Sequence, residues 1–303
     1  MGKDGDAPGL TCSRNRPLTA PGGHQRHAAD IGDYGASVVP KLVLVGGGRM
    51  GEALLGGLLG SGWAQPTDVV VVEMLPERRE VLASRFGGVR VQADVEAADG
   101  VVVAVKPGDV EAACVSIAAA GTSRVLSIAA GVPLARLERA LGGSSAVPVV
   151  RAMPNMGALI GAGAAAISPG RAATDEDLTW AESVLGAVGT VVRVPEALLD
   201  AVTGLAGSGP AYVFMMAEAL VDAGVLVGLP RLTSQALVQQ TLLGAARLLV
   251  ETGDSPETLR AAVTSPGGTT AAGLAALERA GLRSGLLDAV SAATVRAHEL
   301  GTD

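Results

Sequence analysis

Leu42-Val-Leu-Val-Gly-Gly-Gly-Arg-Met-Gly51 decides the fold of this chain. A short apolar strand runs straight into glycines, and a helical pattern opens behind them. Gly46, Gly48 and Gly51 match G-x-G-x-x-G, the phosphate-binding turn of a dinucleotide-binding βαβ unit. In a chain with 42 glycines the spacing alone is weak. Its place between a strand and a helix gives it force. Gly46 permits the tight turn, Gly48 lets the backbone approach a pyrophosphate, and Gly51 lets the helix close on the sheet. Met50 belongs to the same loop.

Strand–helix alternation continues outward from this stretch. The pattern predicts helices over 50–59 and 76–85, and strands over 69–72, 89–91, 100–105, 125–128 and 147–151. β-branched runs separated by helices indicate a parallel sheet. A further strand pair is expected at 164–167 and 191–194, around a helix over 175–188. After Pro195 the strand signals stop. Helices are expected over 196–204, 210–227, 230–251, 256–263, 270–280 and 284–300, several with Pro at the first helical position. The fold expected is α/β: an N-terminal Rossmann-type dinucleotide-binding domain over 40–196 and an all-helical domain over 197–303. Residues 1–39 mix Gly, Pro, Asp, Arg and His without a period and read as a disordered tail.

The bulk properties narrow the partners. The 303 residues carry a net charge of −7 and no basic run, which argues against a nucleic-acid surface. Cys12 and Cys114 stand far apart in no metal spacing, so neither a metal site nor a disulfide framework is expected. The charge-free run 152–170 holds Pro154, Asn155 and Pro169 and reads poorly as a membrane span. The start of the chain lacks an apolar signal core. A cytoplasmic location is expected. The apolar, small-residue-rich composition points to a buried subunit interface.

Three further stretches face the expected ligand edge. Glu73 ends the second strand, where an acid accepts hydrogen bonds from the adenosine ribose of NAD. Arg78 and Arg79 follow closely and suit a 2′-phosphate, so the choice between NADPH and NADH stays open. Lys106-Pro107 ends the strand over 100–105 at its carboxyl edge, and Lys106 is the only lysine after Lys41. Ser127-Ile-Ala-Ala-Gly131 ends the next strand with residues small enough for a ring to lie against the backbone. Far downstream, Ala261-Ala-Val-Thr-Ser-Pro-Gly-Gly-Thr-Thr270 couples a Gly-Gly turn to hydroxyls just ahead of a helix. Amides at a helix start, with hydroxyls beside them, suit a small carboxylate.

Gly46-Gly-Gly-Arg-Met-Gly51, Ala104-Val-Lys-Pro107, Ser127–Gly131, Arg151-Ala-Met-Pro-Asn155, Gly207-Ser-Gly-Pro-Ala-Tyr212 and Thr264–Thr270 come in the order and spacing of pyrroline-5-carboxylate reductases. The chain resembles that family from about Lys41 to Leu300. The resemblance implies reduction of the cyclic imine 1-pyrroline-5-carboxylate to proline with NADPH or NADH. It also implies a helical dimerisation domain, with homodimers that assemble further into decamers. By the same resemblance, Gly46, Gly48, Met50 and Gly51 would hold the pyrophosphate. Ala104, Lys106 and Pro107 would line the nicotinamide half of the cofactor, and Asn155 would stand close to it. Ser265, Gly268, Thr269 and Thr270 would take the substrate carboxylate and the region of the ring nitrogen. Glu73 departs from the small or hydroxyl residue more frequent at its position.

The residue inventory suits this chemistry. A protonated imine already accepts hydride well, so the main task is to hold two reactants together, a proximity effect on the order of 7 kcal/mol. After Lys41 the only histidine is His298, near the chain end. Thr270 is the candidate catalytic residue, orienting the ring nitrogen, with the proton drawn from solvent or from the substrate's iminium form. Tyr212 is a weaker candidate. Two rivals remain: another imine or ketone reductase on the same architecture, and a non-catalytic NADPH-sensing protein. The first would want a Lys, His or Asp in the helical domain beside the nicotinamide. The second would not need Ser265–Thr270.

Overall fold

The computed structural model describes residues 39–143 and 147–302. The expected tail over 1–39 thus lies, but for Val39, outside the described residues. Eight strands form one sheet in the order β3-β2-β1-β4-β5-β6-β7-β8. They are β1 (Leu42–Val45), β2 (Val69–Val72), β3 (Arg90–Gln92), β4 (Val101–Val103), β5 (Val125–Ser127), β6 (Val149–Met153), β7 (Gly163–Pro169) and β8 (Gly189–Arg193). The crossovers carry α1 (Arg49–Gly60), α2 (Pro76–Arg85), α3 (Val110–Ala120), α4 (Leu134–Ala140) and α5 (Asp175–Gly186).

Residues alternate across the strands, so each strand feeds two cores. Leu42 and Leu44 join Leu54, Leu55, Leu58, Leu82 and Leu185 on one face. Val43 and Val45 join Cys114, Ile117 and Leu137 on the other. Burial, with Glu111 beside it, pushes the Cys114 thiol up to about 11. A native thiol titration followed by peptide mapping should therefore leave Cys114 unlabelled at pH 8 and label it fully in denaturant. Labelling in the folded protein would show that α3 opens.

The sheet is not wholly parallel, which corrects the expectation for its edge. β7 runs antiparallel to β6, pairing Val150 with Pro169 and Met153 with Ala166. The connection 154–162 holds only a 3-10 turn, Met156–Ile160. It is too short for the crossover that a parallel return needs. β8 then pairs parallel with β7.

Past β8 every element is helical: α6 (Leu199–Val202), α7 (Gly209–Leu226), α8 (Arg231–Glu251), α9 (Pro256–Ala262), α10 (Thr269–Arg279) and α11 (Leu282–Thr302). The single helix expected over 196–204 is instead a 3-10 turn, α6 and a π-helical turn, Thr203–Gly207. The π turn closes through Ser208 N–H donating to the Thr203 carbonyl at 2.8 Å. A packing reason is visible at Gly204, where a Cβ would lie 2.4 Å from Thr294 Oγ1 and 2.9 Å from the Val290 carbonyl of α11. Tyr212 hydroxyl donates to the Gly204 carbonyl at 3.1 Å, which satisfies it inside the helical region. Glu196 anchors the start of this region. One of its oxygens accepts from Arg151 of β6 at 2.9 Å and from the Leu134 amide at 2.7 Å.

α7, α9 and α10 bury no residue fully, and α8 buries only Ser234. Phe214, Met215 and Leu226 on α7, and Leu232, Leu237, Leu243, Leu248 and Val250 on α8, are all exposed. The run Glu196–Leu226 is long and apolar enough to cross a membrane by length and composition, with mean hydropathy 1.3. A helix apolar nearly all round requires cover on all sides.

Candidate functional site

The glycine loop sits at the carboxyl edge of β1, as a doubly wound sheet requires. Gly46 has φ +109°, a conformation that favours glycine, and its N–H donates to the Val72 carbonyl at 2.8 Å. A Cβ there would lie 2.6 Å from the Ala104 carbonyl oxygen, so Gly46 and Ala104 are packed directly together. At Gly51 a Cβ would stand 2.1 Å from the Gly46 carbonyl, which explains the third glycine.

Gly48 differs. Its backbone is extended (φ −67°, ψ −173°), and a Cβ would meet nothing within 4 Å. The folded chain itself therefore gives no reason for glycine at this position. It is the N-cap of α1, without a side-chain cap. The first amides of α1, including that of Met50, so lack a side-chain cap. Uncapped amides at a helix start are what a pyrophosphate needs. On that observation the residues present fit a nicotinamide dinucleotide.

Glu73 follows β2 and reaches back to this loop. Its Oε2 accepts from the Gly47 amide at 3.0 Å and its Oε1 from the Leu75 amide at 2.9 Å. Arg78 donates to the Gly47 carbonyl at 2.7 Å and pairs with Glu52 of α1. Arg85 pairs with the same carboxylate. The hydrogen bond from Arg78, reinforced by the charges of Arg78 and Arg85, holds the Glu52 carboxyl below the usual carboxylate range. Arg79 donates to the carbonyls of Glu73 and Met74 at 2.8 and 2.9 Å. Sequence reasoning missed Glu52. An acid in the first turn of a helix is ordinary, and its partners lie one crossover away.

On the other side of β1, Lys106 and Pro107 are exposed at the end of β4 and open a 3-10 turn, Pro107–Asp109. Ser127 is fully buried at the end of β5. Gly131 beyond it, with φ +73°, meets the end of α11: a Cβ on Gly301 would lie 3.3 Å from the Gly131 carbonyl. Asn155 ties three segments together. Its Oδ1 accepts from Gly157 and Ala164 at 3.1 and 3.0 Å, and its Nδ2 donates to Ala206 of the π turn at 3.1 Å. Both acceptor positions of this amide are committed to the backbone.

The downstream segment opens a helix with uncapped amides. Gly268 is the N-cap of α10 with no side-chain cap, so the amides of Thr269 and Thr270 begin the helix without an internal partner. Ser265 Oγ lies over Gly268, where a Cβ would approach it to 2.3 Å. The Gly268 N–H donates to the Ser265 carbonyl at 3.0 Å and closes the turn. Among the described residues, no hydrogen bond or ion pair joins 264–270 to the carboxyl edge of the sheet.

The comparisons with known proteins fall on the same two regions. Residues 196–300 match the family model described as pyrroline-5-carboxylate reductase dimerisation. Residues 41–131 match the one described as NADP oxidoreductase, coenzyme F420-dependent. A pyrroline-5-carboxylate reductase of Synechocystis is 44% identical over 265 residues, which cover 86% of this chain and 98% of the relative. Among solved structures, a pyrroline-5-carboxylate reductase from Coxiella burnetii is similar with a TM-score of 0.82 and 35% identity, over 87% of this chain and 99% of that one. The pyrroline carboxylate reductase of Plasmodium falciparum, solved with NADP bound, has a TM-score of 0.72 at 26% identity, over 86% and 98%.

Proposed function

The chain belongs to the pyrroline-5-carboxylate reductase family, and from that premise we propose how its own residues divide the work of reducing 1-pyrroline-5-carboxylate to L-proline, the final step of proline biosynthesis. The observation that carries the proposal is the uncapped start of α10, with three hydroxyls beside it. The bound nicotinamide cofactor, NADPH or NADH, supplies the hydride to the imine carbon.

Gly46, Gly48, Met50 and Gly51 hold the pyrophosphate, Gly48 by leaving room and the α1 amides by donating. Ala104, Lys106 and Pro107 line the nicotinamide half, Lys106 as a cation at the sheet edge. Asn155 acts by position, since its amide joins the ends of β6 and β7 to the π turn. The amides of Thr269 and Thr270, the Gly268 turn and the Ser265 hydroxyl bind the substrate carboxylate. Thr270 Oγ1 orients the ring nitrogen, and the proton comes from solvent or the iminium form. Reduction then adds hydride to carbon and leaves the proton on nitrogen, which gives a secondary amine without covalent attachment to the protein.

Two copies interlock through α7 and α8, and each active site lies close to their interface. The apolar run Glu196–Leu226 is covered by the second copy rather than by lipid. Asp200, within it, already pairs with His298 at 3.2 Å, and the same run lies inside the dimerisation match. Decamers of five dimers are the larger assembly this reading allows. Cys114, a free buried thiol, suits a cytoplasmic enzyme.

Substitution separates the two parts of the substrate seat. Losing a hydrogen bond to a charged carboxylate costs roughly 1.5–3 kcal/mol, or about 10- to 150-fold in affinity. Ser265→Ala should raise the KM for pyrroline-5-carboxylate by that order and leave the cofactor KM nearly unchanged. Thr270→Ala should also lower kcat, because orientation at the reacting centre matters most in the transition state. Proline should inhibit competitively through the same contacts and weaken in parallel with Ser265→Ala. Unchanged substrate KM and unchanged proline inhibition in Ser265→Ala would place the carboxylate elsewhere.

A further inference from the structure

We propose that this chain prefers NADH over NADPH, with Glu73 as the specificity-determining residue and Glu52 as the residue that holds the Arg78 guanidinium against the glycine loop. The proposal rests on the nucleotide reading given above and concerns only its adenosine end.

Glu73 is fixed where the adenosine ribose must lie. Both its oxygens are oriented by backbone amides, Oε2 by Gly47 in the phosphate loop and Oε1 by Leu75. A carboxylate oxygen accepts more than one hydrogen bond, so each still has capacity for a ribose hydroxyl. A 2′-hydroxyl donates to such a group. A 2′-phosphate instead brings up to two negative charges against it and has no proton to give at neutral pH. Like charges at this range repel, and a partly buried site screens them weakly.

A chain that uses NADPH needs a cation at the end of β2 to offset that charge. Of the arginines near it, the three that follow β2 each bond within this region, whereas Arg49, on the glycine loop itself, is exposed. Arg78 is held by the Gly47 carbonyl and by Glu52. Arg85 is held by Glu52. One terminal nitrogen of Arg79 serves the carbonyls of Glu73 and Met74. Glu52 is ionised at neutral pH and lies in the first turn of α1. It therefore draws two guanidinium groups toward the helix. The arrangement makes the expectation that Arg78 serves a 2′-phosphate hard to sustain. Its guanidinium braces the loop.

The test is equilibrium titration of the full chain with NADH and with NADPH, without substrate, read by calorimetry and by cofactor fluorescence. The unmodified protein should bind NADH about tenfold or more tightly than NADPH, the order of one hydrogen bond to a charged group. Glu73→Gln keeps the side-chain length and an acceptor for one loop amide but removes the charge, so the ratio should fall toward unity through tighter NADPH binding. Glu73→Ser with Glu52→Gln, which frees Arg78, should invert the ratio. A variant that merely loosened the loop would weaken both cofactors together and leave the ratio unchanged, and that result overturns the assignment. Equal or tighter NADPH binding by the unmodified protein overturns the preference while leaving the reductase reading intact. Failure to bind either cofactor overturns both.

Discussion

Gly48→Val should abolish binding of reduced cofactor while leaving the folded chain nearly as stable as before. The two halves of this expectation have separate grounds. The Gly48 backbone is extended, at φ −67°, so any residue adopts it without strain. A Cβ placed there meets no protein atom within 4 Å. The protein accommodates valine at a cost of about 1 kcal/mol, for a poorer helix N-cap. In the proposed site, a valine there would compete with the pyrophosphate for the room that Gly48 leaves beside the start of α1. A branched side chain there removes several charge-assisted contacts at once, each worth roughly 1.5–3 kcal/mol, so affinity should fall by about a thousandfold or more. Thermal unfolding with and without cofactor checks both halves. The variant should melt close to the unmodified protein alone and gain nothing from added cofactor. Unchanged cofactor affinity would mean that the phosphate loop is assigned wrongly. Gly46→Val makes the contrast: positive φ and contact with Ala104 should make that variant fail in folding.

The second large effect concerns assembly. Phe214→Asp combined with Leu237→Asp should leave the α/β half folded and able to bind cofactor, yet abolish reductase activity. The exposed apolar side chains of α7 and α8 include Phe214, Met215, Leu226, Leu232, Leu237 and Val250. Burying each contributes roughly 1.5–3 kcal/mol, and the six together roughly 9–18 kcal/mol, the scale at which subunits associate. A carboxylate introduced into such a face stays hydrated only if the face stays exposed. Light scattering should give the mass of two chains or a multiple for the unmodified protein and a single chain or aggregate for the variant. An active, monodisperse monomer of the unmodified protein would contradict the account, because 264–270 has no bonded connection to the sheet edge within one chain.

Much of the architecture was legible because its causes are local. Leu42–Val45, the glycines and the amphipathic turn behind them announce strand, turn and helix without help from distant residues. The same holds for the helices at 210 and 256, where proline stands in the first turn; at 230 the proline is the N-cap and the helix begins at Arg231. What was not legible depends on partners remote in sequence. β7 carries the right residues for a strand, but its antiparallel direction follows from the short connection 154–162. The π turn at Thr203–Gly207 arises where Gly204 presses on Thr294 and Val290, ninety residues downstream. The crossover helix α3 is alanine-rich with weak periodicity, and α4 is only two turns long. In the site, the glycine spacing and the Ser-Pro-Gly-Gly-Thr-Thr run were legible as a strand–turn–helix loop and a helix-opening turn, which the structure forms at Gly46–Gly51 and at Gly268. The ion pairs of Glu52 and the clamp of Glu196 on Arg151 and Leu134 could not be read, since nothing in their spacing distinguishes them from surface acids. They emerge only when β1, α1 and α2, or β6 and the first helical turn, are brought side by side.

The account's central claim is that the two constructions, nucleotide loop and carboxylate seat, serve one reaction on a cyclic imino acid. Cofactor oxidation by the purified full chain should be followed with 1-pyrroline-5-carboxylate, with 2-oxo acids and with linear imines under matched conditions, and the product identified by mass spectrometry. The account predicts rapid turnover of 1-pyrroline-5-carboxylate with stoichiometric proline, and turnover of the other two classes lower by at least about a hundredfold, since neither presents a ring nitrogen and carboxylate together. Efficient reduction of a 2-oxo acid or a linear imine, with none of the cyclic substrate, would contradict it.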